Sequence, residues 1–576
     1  RFLILTLLLT LQLLSGHAQS TFYTLLLAGA WITWHSLSLG PTTNRPLRPN
    51  YQSLIINLFF FALALLFALA LAAIQLIPTY ELLSQSPRAD AAEYEFAMTY
   101  SLWPWRLLSW IIPNLFGHPA DHNYWGYATY WEDNAYLGLL PLVFALYAAY
   151  RVSRIAYHVF LSRLTSNTRY ETRDTSAFVS LISLSFLISF ISIILAFGQN
   201  TPIFPFFYRY IPGFGLFQAP ARMLIWFTFA ASLLAGIGAH HWQASERKRY
   251  WSRLGIVGSL AMFTLGIAGY LAIDNARAEA IGSGLSGAAV LALGVFILLL
   301  AQPASPDKWR WAALTLLAAD LGLAAVRLNP TIDPVLYHLR PSTIPTTRAY
   351  QFAEDEHHVK FREFFRFTSF DDIGPQSLRD AHLPNLNVLN GVASANNFDP
   401  LLSARYVTFV KAMEQNQRLF GLANVHTLIK RAGAITALDN GDAAPFRIIH
   451  QSRTVANGEA ALAAINDPAF DPATEVILEP VEPERYGWPL EPNRTVITYS
   501  GEAGYVMLAD TYYPGWRVLV DGVEQPILRA NYAFKAVAVP AGTHEVVFEF
   551  APFSVTLGLI ISVSALSVWV VLLGVK

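Results

Sequence analysis

PTYELLSQSPRADAAEYEFAMTYSLWPWRLLSWIIPNLFGHPADHNYWGYATYWEDN, Pro78–Asn134, is a long polar stretch with an apolar run on each side, Ser53–Ile77 before it and Ala135–Tyr150 after it. A helix that crosses a bilayer takes roughly 20 apolar residues. The stretch is therefore read as the first place where polar chemistry meets a membrane surface. It is dense in acids, with Glu81, Asp90, Glu93, Glu95, Asp121, Glu132 and Asp133. It is equally dense in aromatics, with Trp103, Trp105, Trp110, Tyr124, Trp125, Tyr127, Tyr130 and Trp131.

The composition agrees. Hydrophobic residues make up 54% and charged residues 14% of the chain, against about 25% charged in a soluble domain. Further apolar runs are Phe2–Leu14, Thr21–Leu39, Ala177–Phe197, Pro220–His240, Leu254–Ile273, Ile281–Ala301, Trp309–Val326 and Val555–Val575. Polar backbone cannot face lipid unpaired, so each run should be helical, giving about ten spans. The net charge of -1 gives no reason to expect nucleic acid as a partner. With no cysteine in the chain, disulfides, thiol catalysis and cysteine-held metals are excluded. Arg1 lies inside an apolar run with no Met before it, so the true N-terminus is expected upstream.

Orientation follows from Arg and Lys in short loops. Arg45 and Arg48 lie in one loop, and Arg151, Arg154, Arg163, Arg169 and Arg173 in another. A third holds Arg247, Lys248, Arg249 and Arg253, and a fourth Lys308 and Arg310. With alternating helices all of these fall on one side, the cytoplasm. The opposite side then receives Ser15–Ser20, Pro78–Asn134, Gly198–Ala219, Asp274–Ala280 and the large segment from Asn329 to about Phe553.

That segment has ordinary charge and strong turn signals. Residues 329–445 read as a mixed α/β region, with helix-like spacing at Phe398–Phe420. Residues 446–553 read as a β-sandwich. Its short Val-, Ile-, Tyr- and Phe-rich runs are Arg447–Val455, Glu475–Leu478, Arg494–Ser500, Gly504–Ala509, Trp516–Val520, Gln525–Leu528, Ala533–Val539 and His544–Phe550. Val520–Gly522 and Pro540–Gly542 read as hairpin turns. The domain plan is a multi-pass region 1–328 with outer loops 78–134 and 198–219, this extracytoplasmic pair, and a returning helix at 554–576.

Four segments closely resemble the YfhO family of bacterial membrane proteins. They are Gly504–Pro552, Ala128–Leu146 (ATYWEDNAYLGLLPLVFAL), Pro212–Ala239 and Leu401–Phe409 (LLSARYVTF). The resemblance extends over most of the chain, with these segments in the right order. The family looks like a branch of the GT-C type glycosyltransferases. The resemblance implies a polytopic α-helical enzyme that takes sugar from a polyprenyl-phosphate donor on the outer face of the cell membrane. The acceptor it implies is a cell-envelope glycolipid or polymer such as a teichoic acid. GT-C enzymes usually carry an essential acid in the first outer loop, and here that acid is expected upstream of Arg1.

Glycosyl transfer needs a carboxylate to take the acceptor's proton. Glu132, directly above a helix in WEDNAYLG, and Glu81, above the Ser53–Ile77 run, are the candidates. Either could equally hold its loop over the membrane. Asp133, Trp131 and Tyr130 lie beside Glu132 as candidate substrate contacts. Arg222 and Arg209 could meet the donor's phosphate, because guanidinium matches phosphate geometry. A lipid headgroup or a loop acid would satisfy Arg222 as well. Asp320, inside an apolar span, is either functional or a polar tether to another helix or to the opening loop.

His118 and His122, with Asp121 between them, could hold a divalent metal, although Pro119 argues against a helix presenting both. No other cofactor is called for. The dense aromatics could stack on sugar, but an interfacial belt is the ordinary reading. Tyr512, Trp516 and Tyr532 could bind glycan or simply pack a sheet. GSGLSG at Gly282–Gly287 matches GxGxxG but lacks a preceding strand, so it reads as close helix packing. Two rivals stand beside the transferase: a lipid-linked sugar transporter and a non-catalytic envelope scaffold that binds glycan.

Overall fold

A computed structural model describes the chain except residues 1, 39–50, 90–92, 128–129, 133, 166–172, 243–246, 273–274, 302–304, 327, 330, 346, 365, 367–373, 400, 432–433, 439–443, 483, 489–492 and 575–576. The chain is mostly helical, with a sheet-rich region before its last helix. Five helices among the described residues are long and apolar enough to cross a membrane: Tyr51–Leu71, Pro220–Trp242, Lys248–Leu271, Arg277–Leu300 and Phe553–Gly574. Phe2–Leu14, Leu139–Arg151 and Leu181–Ala196 are apolar but shorter. The Pro306–Ala325 helix carries Asp307, Lys308, Arg310 and Asp320, which dilute its apolar character.

The helix before the polar stretch does not stop at Ile77. It breaks at Ala72 and resumes as Ala73–Ser84, with Pro78 inside it. The cause is a side chain inserted into the backbone ladder. The Ser562 hydroxyl accepts from the Ile74 N–H (2.9 Å) and donates to the Ala70 carbonyl (3.4 Å). These two groups would otherwise pair within one helix. The C-terminal helix comes close enough because residue 558 is glycine. A Cβ there would lie 2.6 Å from the Ala73 carbonyl oxygen.

Among the described residues the sheet-rich region holds three sheets, the smallest a three-stranded one of Arg348–Gln351, Val425–Ile429 and Ile435–Ala437. A four-stranded antiparallel sheet runs Val523–Gln525, Trp516–Val520, Gly542–Phe550, Arg494–Gly501. A six-stranded sheet runs Phe446–Ile449, Gly504–Leu508, Phe534–Val539, Leu528–Ala530, Glu475–Glu479, Gln451–Thr454. Strand alternation sends Val506, Leu508, Val537 and Val539 toward Ile497, Val518, Val546 and Phe548 of the smaller sheet. Met507, Phe534 and Ala536 point the other way. There they join Phe409 and Met413 of the Ala404–Gln415 helix and Val425 of the three-stranded sheet. The mixed segment thus packs on one face of the six-stranded sheet, and the two larger sheets enclose a second core between them.

Asp521 and Gly522 both have positive φ, 52° and 79°, and Val520 pairs with Val523. This is the type I′ hairpin that the VDG turn leads one to expect. Pro540–Gly542 corrects the hairpin reading, because the strands on either side of it lie in different sheets. The anticipated strand Arg447–Val455 is two strands split by His450, one at each edge of the six-stranded sheet.

Candidate functional site

The polar stretch folds into a small core of its own. Arg106 is 1% exposed and lies 5.5–5.8 Å from the ring centres of Phe116, Tyr124 and Tyr130. Its Nη2 donates to the Tyr130 carbonyl at 3.1 Å. Guanidinium is weakly hydrated and suits such an aromatic setting. Trp103, Trp125 and Trp131 pack against the same cluster, while Trp105 and Tyr127 remain exposed. The aromatics thus divide between a buried core and an exposed fringe.

The stretch is joined to the 198–219 loop. Leu102 N–H donates to the Ala196 carbonyl, and Asn200 Nδ2 donates to the Leu102 carbonyl, both at 2.8 Å. Ala97, Met98, Leu102 and Trp110 share a core with Phe204, Phe214, Ala221 and Met223. This packing fixes the turn Pro220–Met223 that carries Arg222. The turn starts from Ala219, a buried non-glycine residue at φ +63°. A non-glycine residue in the left-handed region costs of order 1 kcal/mol and persists where the surroundings impose it.

At this point Arg222 meets Glu132. Nε donates to Oε2 at 2.9 Å and Nη2 donates to Oε1 at 2.6 Å, a bidentate fork. Nη1 donates to Oε1 of Gln19 at 2.8 Å. The Gln19 amide in turn donates to the Gln218 carbonyl (2.6 Å) and the Tyr23 hydroxyl (3.0 Å). These groups line a cavity of about 360 Å³ together with His17, Asn134 and Thr228. Arg222 and Glu132 keep 31% and 24% of their side-chain surface, so the pair can be reached from solution. His17 Nδ1 accepts from the Ser20 N–H at 3.1 Å, which leaves the ring's proton on Nε2 when it is neutral.

The cavity stands at the end of the helices that bears the sheets. Trp131, next to Glu132, donates its indole N–H to the Leu328 carbonyl at 2.9 Å, where the chain leaves its helices for the sheet-rich region. Sequence reasoning missed Gln19, His17 and Arg106. The short Ser15–Ser20 loop holds the polar residues that could have pointed to the first two.

Asp320 is a tether. It is 3% exposed and accepts from the Tyr136 hydroxyl (2.6 Å) and the Leu139 N–H (2.8 Å). Leu139 opens the Leu139–Thr165 helix, where a carboxylate satisfies an amide that has no helical partner and meets the positive end of the helix dipole. Gly138 at φ +92° permits the approach, since a Cβ there would stand 3.0 Å from Asp320 Oδ2. Glu81 lies elsewhere. Its Oε2 accepts from the Ser554 hydroxyl at 2.7 Å, and it also bonds Tyr513, whose hydroxyl is pushed up by burial and by that carboxylate. Glu81 therefore links the Ala73–Ser84 helix to the start of the last helix and to the sheets.

Arg209 is exposed near the end of the Ile203–Tyr210 helix and does not line the Arg222 cavity. Asp133 lies outside the described residues. Tyr130 donates to Asn114 Oδ1 at 3.2 Å within the loop core. His118 Nδ1 accepts from the Ala120 N–H at 3.0 Å, so that nitrogen is committed to the chain. Among the described residues no three His, Cys, Asp or Glu side chains gather as a metal set, His118, Asp121 and His122 included. Tyr512 is buried between the sheets and Tyr532 stacks under Arg405. The glycines of GSGLSG make close contacts: a Cβ on Gly282 would meet Gly266 O at 2.8 Å, and one on Gly284 would meet Asn114 O at 2.9 Å.

These features define a membrane protein with several apolar helices and a sheet-rich region. The family described as bacterial membrane protein YfhO matches residues 445–562, so the resemblance read from the sequence holds over that segment. The match spans the four- and six-stranded sheets and the first part of the last helix, and the Arg222 cavity lies outside it. No curated protein and no solved structure matches the chain.

Proposed function

We propose that the protein is a membrane glycosyltransferase of GT-C type with about ten spans and with its sheet-rich region outside the cell. On this reading it moves a sugar from a polyprenyl-phosphate-linked donor to an envelope glycolipid or polymer such as a teichoic acid. One observation carries the proposal. Arg222 and Glu132 are forked together and half-open in a cavity that also presents Gln19 and His17. A purely structural pair needs no cavity beside it.

In this reading the donor's phosphate takes over the guanidinium of Arg222, which fits phosphate as well as carboxylate. His17 Nε2–H adds a further donor beside it. Glu132, released from the fork, takes the proton of the acceptor hydroxyl. That oxygen forms a bond to the anomeric carbon as the bond from that carbon to the phosphate oxygen breaks. Polyprenyl phosphate leaves carrying the electron pair. Buried Ala219 at positive φ supports the reading, because such strain gathers at functional sites.

The test is transfer from a polyprenyl-phosphate sugar by the full-length protein carrying Glu132→Gln or Arg222→Gln. Loss of transfer with both variants, in protein that still folds, is the expected result. Unchanged transfer with either one would sink the assignment.

A further inference from the structure

A second cavity, of about 560 Å³, opens where the mixed segment, the sheets and the end of the Ala73–Ser84 helix come together. Leu82 of that helix lines it, and the Ala404 N–H donates to the Gln85 carbonyl at 2.8 Å beside it. The volume is in the range of pockets that hold small organic molecules. Its residues take no part in the Arg222 cavity.

The walls mix donors and acceptors. Asn385 and Asn397 bring side-chain amides, Asp399 and Asp510 carboxylates, and Arg348 a guanidinium, over a floor that includes Phe534. Several of these groups are held in place. Arg348 Nη1 donates to the carbonyls of Ala423 (3.0 Å) and Ala509 (2.7 Å). Behind Asp510 stands Lys535, wholly buried, with Nζ 3.4 Å from Asp510 Oδ2, 3.3 Å from the Thr511 carbonyl and 3.4 Å from the centre of the Trp516 ring. A buried ammonium is costly unless paired. This one orients the Asp510 wall.

The charges decide what fits. Asp510 is balanced by Lys535. Asp399 and Arg348 then bring one charge of each sign to the lining, and the Arg348 nitrogen Nη1 already donates to two carbonyls. An anionic ligand gains no net attraction, whereas a neutral molecule with many hydroxyls finds partners of both kinds.

We propose that this cavity is a binding subsite for a neutral glycan. As the acceptor's subsite it rests on the transferase reading, but the binding itself does not. The full-length protein, in lipid nanodiscs free of glycoside detergent, is titrated with cellobiose, maltose and diacetylchitobiose by saturation-transfer NMR. Dextran sulfate serves as the polyanion. At least one neutral disaccharide should bind, and Asn397→Ala and Asp510→Asn should each weaken it about tenfold or more. Asp399→Asn, nearly isosteric, gives the same reading if Asn397→Ala fails to fold. Arg222→Gln should leave the binding unchanged, so a failed transferase reading is told apart from a failed subsite. No neutral disaccharide bound at millimolar concentration, binding indifferent to all three cleft variants, or preference for dextran sulfate would overturn the proposal.

Discussion

Arg222 and Glu132, 90 residues apart in the chain, meet in a two-bond fork of 2.9 and 2.6 Å beside a cavity. Each was a candidate on chemical grounds alone, one for phosphate and one for a proton. Their pairing joins two loops and explains how a cation and a carboxylate can wait side by side for substrate. Arg222→Lys tests the fork itself. Lysine keeps the charge but offers no planar pair of donors. Donor affinity should fall about tenfold while the protein remains folded, read as KM for the polyprenyl-phosphate donor against kcat.

Asp320 ties the Pro306–Ala325 helix to Tyr136 and to the start of the Leu139–Thr165 helix. Asp320→Ala leaves the Tyr136 hydroxyl and the Leu139 N–H without their acceptor, at a cost of about 2–4 kcal/mol. Asp320→Asn keeps one acceptor oxygen and should cost less. Thermal unfolding of the two variants in detergent micelles should rank them in that order.

Gly558 lets the last helix touch the broken helix at Ala73. Gly558→Leu forces the two apart and should cost roughly 1–3 kcal/mol. Ser562→Ala, which removes only the bridging hydroxyl, should be milder. Equal melting temperatures for Gly558→Leu and wild type would contradict the close approach.

Lys535 gives a pH dependence. Burial, only partly offset by Asp510, pulls its ammonium down to about 8 from the ordinary 10.5. Between those values the unfolded chain holds the proton and the folded one does not, so stability rises with pH across that window. Below pH 8 the full cost of burying the charge is present. The stability of wild type relative to Lys535→Met should therefore climb from pH 8 to about 10.5 and then level off, by about 3 kcal/mol in all. A flat difference between the two proteins across that window would contradict the buried charge.

Much of this was legible in the chain, because apolar length and period-two alternation report burial directly. The Asp521–Gly522 turn reads correctly because its conformation depends on two local residues. Partners set by packing were not legible. Glu81 meets Ser554 across 473 positions, and the helix break at Ala72 depends on Ser562, a residue near the other end of the chain. The aromatics around Arg106 read as a membrane belt because composition cannot tell a ring turned inward onto a cation from one turned outward to lipid. Pro540–Gly542 carries turn residues, but no local feature says whether the next strand joins the same sheet.

The most direct test exchanges the pair as Glu132→Arg with Arg222→Glu. The fork can re-form with its charges reversed, which should restore the roughly 1 kcal/mol of coupling such a half-exposed pair provides. The acceptor's base and the phosphate's partner would then stand in each other's places. The account predicts a folded protein of near wild-type melting temperature whose sugar transfer stays about 100-fold or more below wild type. Transfer that returns with the swap would show that Arg222 and Glu132 only hold two loops together.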